Sequence, residues 1–421
     1  MEEKIAGRPR VIERSEAILA IYEGDCFVAL LLDKKERDFT GPSAMKKLTP
    51  WFTLKSVPGV GNLLFKRLID RFGSPEKTLT ASRADLLGVQ GISDILASAI
   101  RSHKTPDNIE KVLETCAQKA ISIVTLTDPG YPALLREIHD PPPYLYVWGK
   151  LVPDAGCVSI VGSRNPTRYG LSMATQLSGE LAAMGLCIAS GMARGIDTAA
   201  HTGALNNNGL TYAVLGSGLC RIYPPENMKL ARRIAEQGAV ISEFPLFAEP
   251  DAHHFPMRNR VISGLSLGTI VVEAAARSGS LITARLAMEQ GREVFAVPGS
   301  ITSFKSTGAH GLLKQGATLV EKASDVIAEI SPLLAAGAAN VPAAPGRPDK
   351  NDRAGKPTPG LDRDEVRVLQ TLEPYPVHID EIAQRAAMAP GKTAGILLQL
   401  ELKGLVTQEP GKRFFINPDV A

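Results

Sequence analysis

Cys157-Val158-Ser159-Ile160-Val161-Gly162-Ser163-Arg164-Asn165-Pro166-Thr167 is an apolar run that breaks abruptly into small residues, an arginine and turn formers. A short apolar stretch bounded by Gly and Pro reads as a buried strand, Cys157–Val161, and a helix is expected over Tyr169–Met184. The next segment repeats the design: strand Leu186–Ala189, the loop Ser190-Gly191-Met192-Ala193-Arg194-Gly195, and a helix from Gly195 to Asn206. Outward from this pair, strands are expected at Thr211–Leu215, Val240–Ser242, Thr269–Val272, Glu293–Val297 and Thr318–Val320. Between them lie helices at Glu226–Gln237, Arg258–Gly264, Leu281–Gln290 and Leu312–Gln315. Apolar strands alternating with helices give a doubly wound, parallel, Rossmann-like α/β sheet with both faces covered. Such sheets take their ligands beyond the carboxyl ends of the strands.

The flanks differ in pattern. Residues 1–45 form an extension with no assignable structure or role. Residues 46–120 read as a small helical unit of helix-hairpin-helix (SAM-like) character, with turns at Val57-Pro58-Gly59-Val60-Gly61 and Val89-Gln90-Gly91-Ile92-Ser93. The first turn, followed by Lys66 and Arg67, is the better candidate for holding a phosphate at a helix N-terminus; the second reads as a plain helix–helix turn. The core is expected over 121–330 and an Ala/Pro/Gly-rich flexible linker over 331–360. Over 361–421, three helices and a hairpin (Leu405–Gln408 with Arg413–Ile416) outline a winged-helix domain.

Composition narrows the function classes. The 421-residue chain is long enough for several units, is 44% hydrophobic, and carries a formal net charge of only +3. Any nucleic-acid surface must therefore come from local placement of arginines and backbone donors. The five cysteines are scattered without CxxC spacing, which argues for a reducing compartment and against zinc or a disulfide framework. Cys157, Cys187 and Cys220 read as buried thiols. No N-terminal signal and no apolar run of spanning length is evident, so a cytoplasmic protein without membrane contact is expected.

Chemistry concentrates in the loops. Gly162, Ser163 and Arg164 offer small residues, amides and a charged fork at a strand-to-helix crossing. Ser190, Gly191, Met192, Ala193, Arg194 and Gly195 repeat the arrangement. Arg258, Asn259 and Arg260 stand at a helix start, and Arg277-Ser278-Gly279-Ser280 opens another helix. Four such loops exceed the needs of a mononucleotide and suit a polyanion laid across the strand ends. Asp197 and His201, four apart on one helix, read as a dipole-favouring acid and a packed ring rather than catalytic partners. His253-His254 lacks a third ligand, and Pro390-Gly391-Lys392-Thr393 lacks the earlier glycine and strand of a P-loop. No cofactor and no metal are expected.

The segments IVGSRNPTRYG (160–170), SGMARGIDTAAH (190–201), RIYPPEN (221–227), SEFP (242–245), FPMRNRVISGLS (255–266) and SGSLITARLAMEQGREVFAVPG (278–299) closely resemble the DNA-processing protein A (DprA/Smf) family. The resemblance runs from about Leu48 to the C-terminus. It implies a non-enzymatic protein that binds and shields incoming single-stranded DNA in natural transformation, helps load RecA onto it, and works as a homodimer. By motif, the strand-contacting positions would be Arg164, the Ser190–Gly195 loop, Arg258–Arg260 and the Gly279-Ser280 turn, with Asn227 next. His310 stands where many relatives carry asparagine and receives no role.

Two other classes were weighed. A nucleotide-processing enzyme of the lysine-decarboxylase-like Rossmann superfamily would need an acid close behind its glycine loop, and Glu273 instead precedes Arg277-Ser278-Gly279-Ser280. A duplex-DNA regulator would need base-reading side chains on the presumed recognition helix Thr393–Lys403, where Gln399 and Lys403 are the main polar residues. With only 5% aromatic residues, arginines and amides are expected to carry most of the affinity for a single strand.

Overall fold

The computed structural model describes residues 42–152, 155–338, 361–372 and 376–416. The first 41 residues and most of the expected linker lie outside these segments.

The helical unit comprises α1 (Pro42–Ser56), α2 (Asn62–Phe72), α3 (Pro75–Thr80), α4 (Arg83–Leu87), α5 (Asp94–Ser102) and α6 (Ile109–Gln118). Serine side chains start three of these helices: Ser74, Ser82 and Ser93 accept from the amides of Lys77, Asp85 and Leu96. Both hairpin turns require a left-handed glycine, Gly59 at φ +93° and Gly91 at φ +96°.

The first turn does not present a free phosphate site. Lys66 Nζ donates to the Ile138 carbonyl at 3.1 Å, and Arg67 Nη1 to the Gln90 carbonyl at 3.0 Å. Asn62, the first residue of α2, donates from Nδ2 to Glu243 Oε2 at 3.2 Å. A core carboxylate thus stands at the N-terminus where an anion was expected, so the hairpin grips its own chain.

The core follows as β1 (Ile121–Thr125), α7 (Ala133–Glu137), β2 (Tyr144–Gly149), β3 (Cys157–Gly162), α8 (Arg168–Ala183), β4 (Cys187–Ser190), α9 (Ile196–Asn206) and β5 (Thr211–Val214). It continues with α10 (Met228–Gln237), β6 (Ala239–Ser242), α11 (His254–Gly264), β7 (Gly268–Val272), α12 (Ser280–Glu289), β8 (Glu293–Ala296), α13 (Thr307–Lys314), β9 (Thr318–Leu319) and α14 (Ala323–Ala338). The strands form one nine-stranded sheet in the order β1-β2-β6-β5-β4-β3-β7-β8-β9.

The sheet is parallel from β6 to β9, and β1 and β2 extend it antiparallel. Sequence rhythm missed that extension because an antiparallel edge needs no crossover helix to announce it. β3 residues alternate between the two faces: Val158 and Ile160 join the cluster containing Leu177, Leu181 and Ala200, while Cys157 and Val161 join the one containing Val261, Ile262 and Leu135. α14 continues through Pro332 to Ala338, into the stretch expected to be a linker; Val326 and Ile330 are fully buried.

Sheet order reverses at β3, with β4 on one side and β7 on the other. Chains leaving the carboxyl ends there turn in opposite directions and open a crevice. The C-terminal unit is a winged helix: α15 (Arg363–Leu369), β10 (Val377–His378), α16 (Ile379–Arg385), α17 (Pro390–Leu402), β11 (Val406–Glu409) and β12 (Arg413–Ile416). Its own core gathers Val368, Ile382, Leu397, Leu400 and Phe414. Among the described residues no helix is long and apolar enough to cross a membrane.

Helical unit and core are joined by buried charge. Arg260 on α11 pairs with Glu243 and, at 3.2 Å, with Asp140; Glu243 meets Asn62, which in turn takes Lys55. Burial raises the Glu243 pKa against the opposing pull of Arg260. Removing one partner of a buried pair strands the other charge, so Glu243→Ala should cost about 3–5 kcal/mol of stability. Adding Arg260→Met to that variant should recover a substantial part. Chemical denaturation checks this, and an equal loss in both variants would refute the pairing.

Candidate nucleic-acid interface

The crevice at the switch point is a cavity of about 620 Å³. Gly162 at the end of β3 and Arg164 from the loop after it reach the cavity, as do Ala193 from the loop after β4, Asp197 from the first turn of α9, and Arg258 and Asn259 from α11. Tyr223 and Phe255 form an aromatic wall, and Ser278, Gly279 and Ser280 close the side at α12.

Close backbone approach makes this possible. A side chain at Gly162 would overlap the Val272 carbonyl oxygen, and one at Gly191 would overlap the Arg258 guanidinium. The loops after β3 and β4 are tied together by the Ile196 amide, which donates to the Ser163 carbonyl at 3.1 Å.

Arg258 is the floor of the site. Its side chain is 4% exposed and its Nη1 donates to the carbonyls of Gly191 and Val214. Burial draws its pKa down to about 10, with Asp197 opposing that shift and Arg164 adding to it. The Nε of Arg258 is buried and has no partner among the described residues, an uncommon state for a charged donor. Arg164 is exposed, and its guanidinium lies over the Phe255 ring at 5.3 Å; that of Arg258 stands 6.0 Å from the same ring. Tyr223 and Phe255 lie 5.9 Å apart. Both arginines thus converge on the Phe255 ring, with Tyr223 beside it, a surface suited to phosphates and bases together.

Backbone amides contribute less than the loop composition implied. The Thr167 amide at the start of α8 donates to Glu273 Oε2 at 2.8 Å, and the Thr167 hydroxyl also meets Glu273. The Ala193 amide donates to Asp197 Oδ2 at 3.1 Å. Carboxylates of the chain itself thus take the Thr167 amide at the start of α8 and the Ala193 amide in the loop before α9.

The sequence candidates separate accordingly. Gly162, Arg164, Ala193, Arg258, Asn259, Gly279 and Ser280 line the cavity. Ser190 is buried and donates to the Ile160 carbonyl at 2.6 Å; Met192 is buried at φ +63°, and Gly195 turns at φ +78°. These, with Ser163 and Gly191, shape the loops rather than face the cavity. Asn227 is buried, donating to the Met192 carbonyl at 2.8 Å and to Thr198 Oγ1 at 3.0 Å, so it braces the β4 loop. Arg194 is exposed but paired with Glu226. Arg260 turns away from the cavity into its ion pairs, because its place on α11 faces the helical unit.

Sequence reasoning passed over Phe255 and gave Asp197 no place in the site. Asp197 lines the cavity beside Arg258, so an acid is present there although no sequence motif marks it; burial raises its pKa, with Arg258 foremost among the groups opposing. The signal for Phe255 was available: an aromatic directly before an arginine-rich helix start.

His201 lies outside the cavity lining and is fully buried, its Nδ1 2.7 Å from Thr211 Oγ1. The Thr211 hydroxyl donates to the Ile188 carbonyl at 2.7 Å, so it accepts the Nδ1 proton and the ring is neutral. Burial pushes the His201 pKa from 6.5 to about 3. The unfolded chain therefore binds a proton over that range, and stability falls as pH drops from 6.5 towards 3. Buried Asp197 and Glu243, with raised pKa values, act in the opposite sense, so a difference measurement isolates the ring. Between pH 6 and 5 the wild type should lose on the order of 1 kcal/mol more than His201→Asn. Denaturant midpoints across pH test this; parallel curves for the two proteins would refute it.

A family model for DNA recombination-mediator protein A matches residues 122–331, and one for the DprA winged helix domain matches residues 352–412. Protein Smf of Synechocystis is 36% identical over 390 residues, covering 86% of this chain and 97% of that protein. Protein Smf of Escherichia coli is 43% identical over 287 residues, covering 67% and 74%. The X-ray structure of DNA processing protein A from Streptococcus pneumoniae superposes with a TM-score of 0.58 at 36% identity, covering 67% of this chain and 98% of that one. With the sheet, the winged helix and these matches in agreement, the chain belongs to the DNA recombination-mediator protein A (DprA/Smf) family.

Proposed function

We propose that the chain binds single-stranded DNA across the carboxyl edge of its sheet and serves as a recombination mediator in natural transformation. In this reading it shields the incoming strand, helps load RecA, works as a homodimer in the cytoplasm, and catalyses no reaction. One observation carries the reading: Arg164 and Arg258 converge on the Phe255 ring along a crevice open to solvent. Arginines meet phosphates, and rings meet bases that only an unpaired strand can offer. Of the fifteen positions proposed from sequence, Gly162, Arg164, Ala193, Arg258, Asn259, Gly279 and Ser280 are the ones whose placement favours direct contact. The remaining positions support them.

Asp197 in the cavity favours one second reading, a nucleotide-processing enzyme that would use this carboxyl as its acid. The two readings part experimentally. Fluorescence anisotropy of labelled oligo-dT, duplex and a mononucleotide should show a preference for the single strand. Its affinity should fall with salt by about 0.7 log units per log unit of salt for each phosphate neutralised. Arg164→Ala should weaken oligo-dT roughly tenfold and lower that slope by about 0.7. Equal affinity for duplex, or no loss on removing Arg164, would overturn the proposal. Release of base or phosphate from the mononucleotide, abolished by Asp197→Asn, would support the enzyme instead.

A further inference from the structure

Phe304 is 71% exposed and Ile301 is 90% exposed. No other aromatic side chain among the described residues exceeds half exposure. Leaving a phenyl ring in water forgoes the transfer energy that the rest of the fold collects.

The ring is presented by a fixed backbone. It begins a 3₁₀ turn, Phe304–Ser306, at the carboxyl end of β8. The Phe304 carbonyl accepts from the Thr307 hydroxyl at 2.7 Å, and Thr307 Oγ1 accepts from the Ala276 amide at 3.1 Å. Lys305 Nζ donates to the Asn165 carbonyl at 2.9 Å, directly beside Arg164. Upstream, the Tyr169 hydroxyl donates to the Pro298 carbonyl at 3.0 Å. The turn is thus held between the loop that carries Arg164 and the loop that carries Arg277, on the same edge of the sheet as the crevice.

The exposed charges of the flanking loops are of one sign, and the adjoining Glu273 is buried against Thr167. Residues 163–168, 274–280 and 298–307 contain Arg164, Arg168, Arg277 and Lys305 and no carboxylate. A flat apolar ring on the sheet edge that carries the crevice, with these cations in the flanking loops, matches a polyanion with exposed π-faces.

Building on the single-strand reading above, we propose that Phe304, flanked by Ile301, is a base-stacking platform that extends the DNA track beyond the crevice. A nucleobase of the strand held by Arg164 stacks on the ring while Lys305 and Arg277 follow the backbone. The track therefore crosses the carboxyl end of β8.

The test uses the full chain. Phe304→Trp places an indole on the platform, and its emission should be quenched by oligo-dT with the midpoint found by anisotropy. Phe304→Ala should weaken oligo-dT about 5- to 150-fold, equivalent to ~1–3 kcal/mol per stacked base. The same variant should leave an abasic oligonucleotide of equal length unaffected, and Phe304→Trp should bind oligo-dT like wild type. No quenching and no loss in Phe304→Ala, with Arg164→Ala still impaired, would overturn the platform and leave the single-strand reading standing. A silent Arg164→Ala would overturn the reading itself. Indole emission that changes with protein concentration without DNA, together with a smaller sedimenting species for Phe304→Ala, would assign the ring to a second copy of the chain and also overturn the proposal.

Discussion

Arg258 and Arg260 stand two residues apart on α11 and so project about 200° apart around the helix. Both are buried, and a buried guanidinium destabilises the fold by several kcal/mol unless its charge and donors are met. Arg258 meets that need at the carbonyls of Gly191 and Val214, with Asp197 close enough to oppose the shift in its pKa. Arg260 meets it at Glu243 and Asp140, and through Asn62 this pairing reaches the helical unit. One helix thereby fixes the strand-end loops on one side and the hairpin on the other. Displacing α11 would strand two charges at once, which is why the crevice and the hairpin are placed together.

The crevice inherits its character from this arrangement. The sheet order opens a gap beside β3, and Gly162 lets the chain pass against Val272 with no room for a side chain. What then faces the gap is set by which polar groups remain after the fold has satisfied itself. Glu273 and Asp197 take the amides of Thr167 and Ala193, so two of the loop donors are already engaged. Arg164, over the Phe255 ring, is left exposed. The interface is one of charge and rings more than of backbone donors.

The helical hairpin illustrates the same point from the other end of the chain. Its glycine turns have the geometry that elsewhere suits phosphate, yet Lys66 and Arg67 are directed to carbonyls at Ile138 and Gln90. A motif defines what a backbone can do; its neighbours decide what it does. Here an acidic core residue, Glu243, sits opposite the N-terminus of α2 and turns a potential anion site into a domain contact.

The parallel core was legible in the residues because buried βα units impose two periods at once, apolar runs of strand length and amphipathic helices between them. The winged-helix outline was legible for a similar reason. The loops at the strand ends, with Gly162, Arg164, Arg258 and Gly279, could be located as soon as the strands were placed. Strands β1 and β2 escaped notice because an antiparallel edge lacks that rhythm, and the exposed ring of Phe304 looked no different from a core phenylalanine. Local sequence determines which elements form and which side chains stand near their ends. Only the tertiary structure decided that Arg258 lines the crevice while Arg260 turns from it, that Asn227 is a brace, and that the amides of Thr167 and Ala193 were already taken. Those outcomes depend on pairings between residues far apart in the chain, and burial makes every unmet charge or donor costly enough to dictate them.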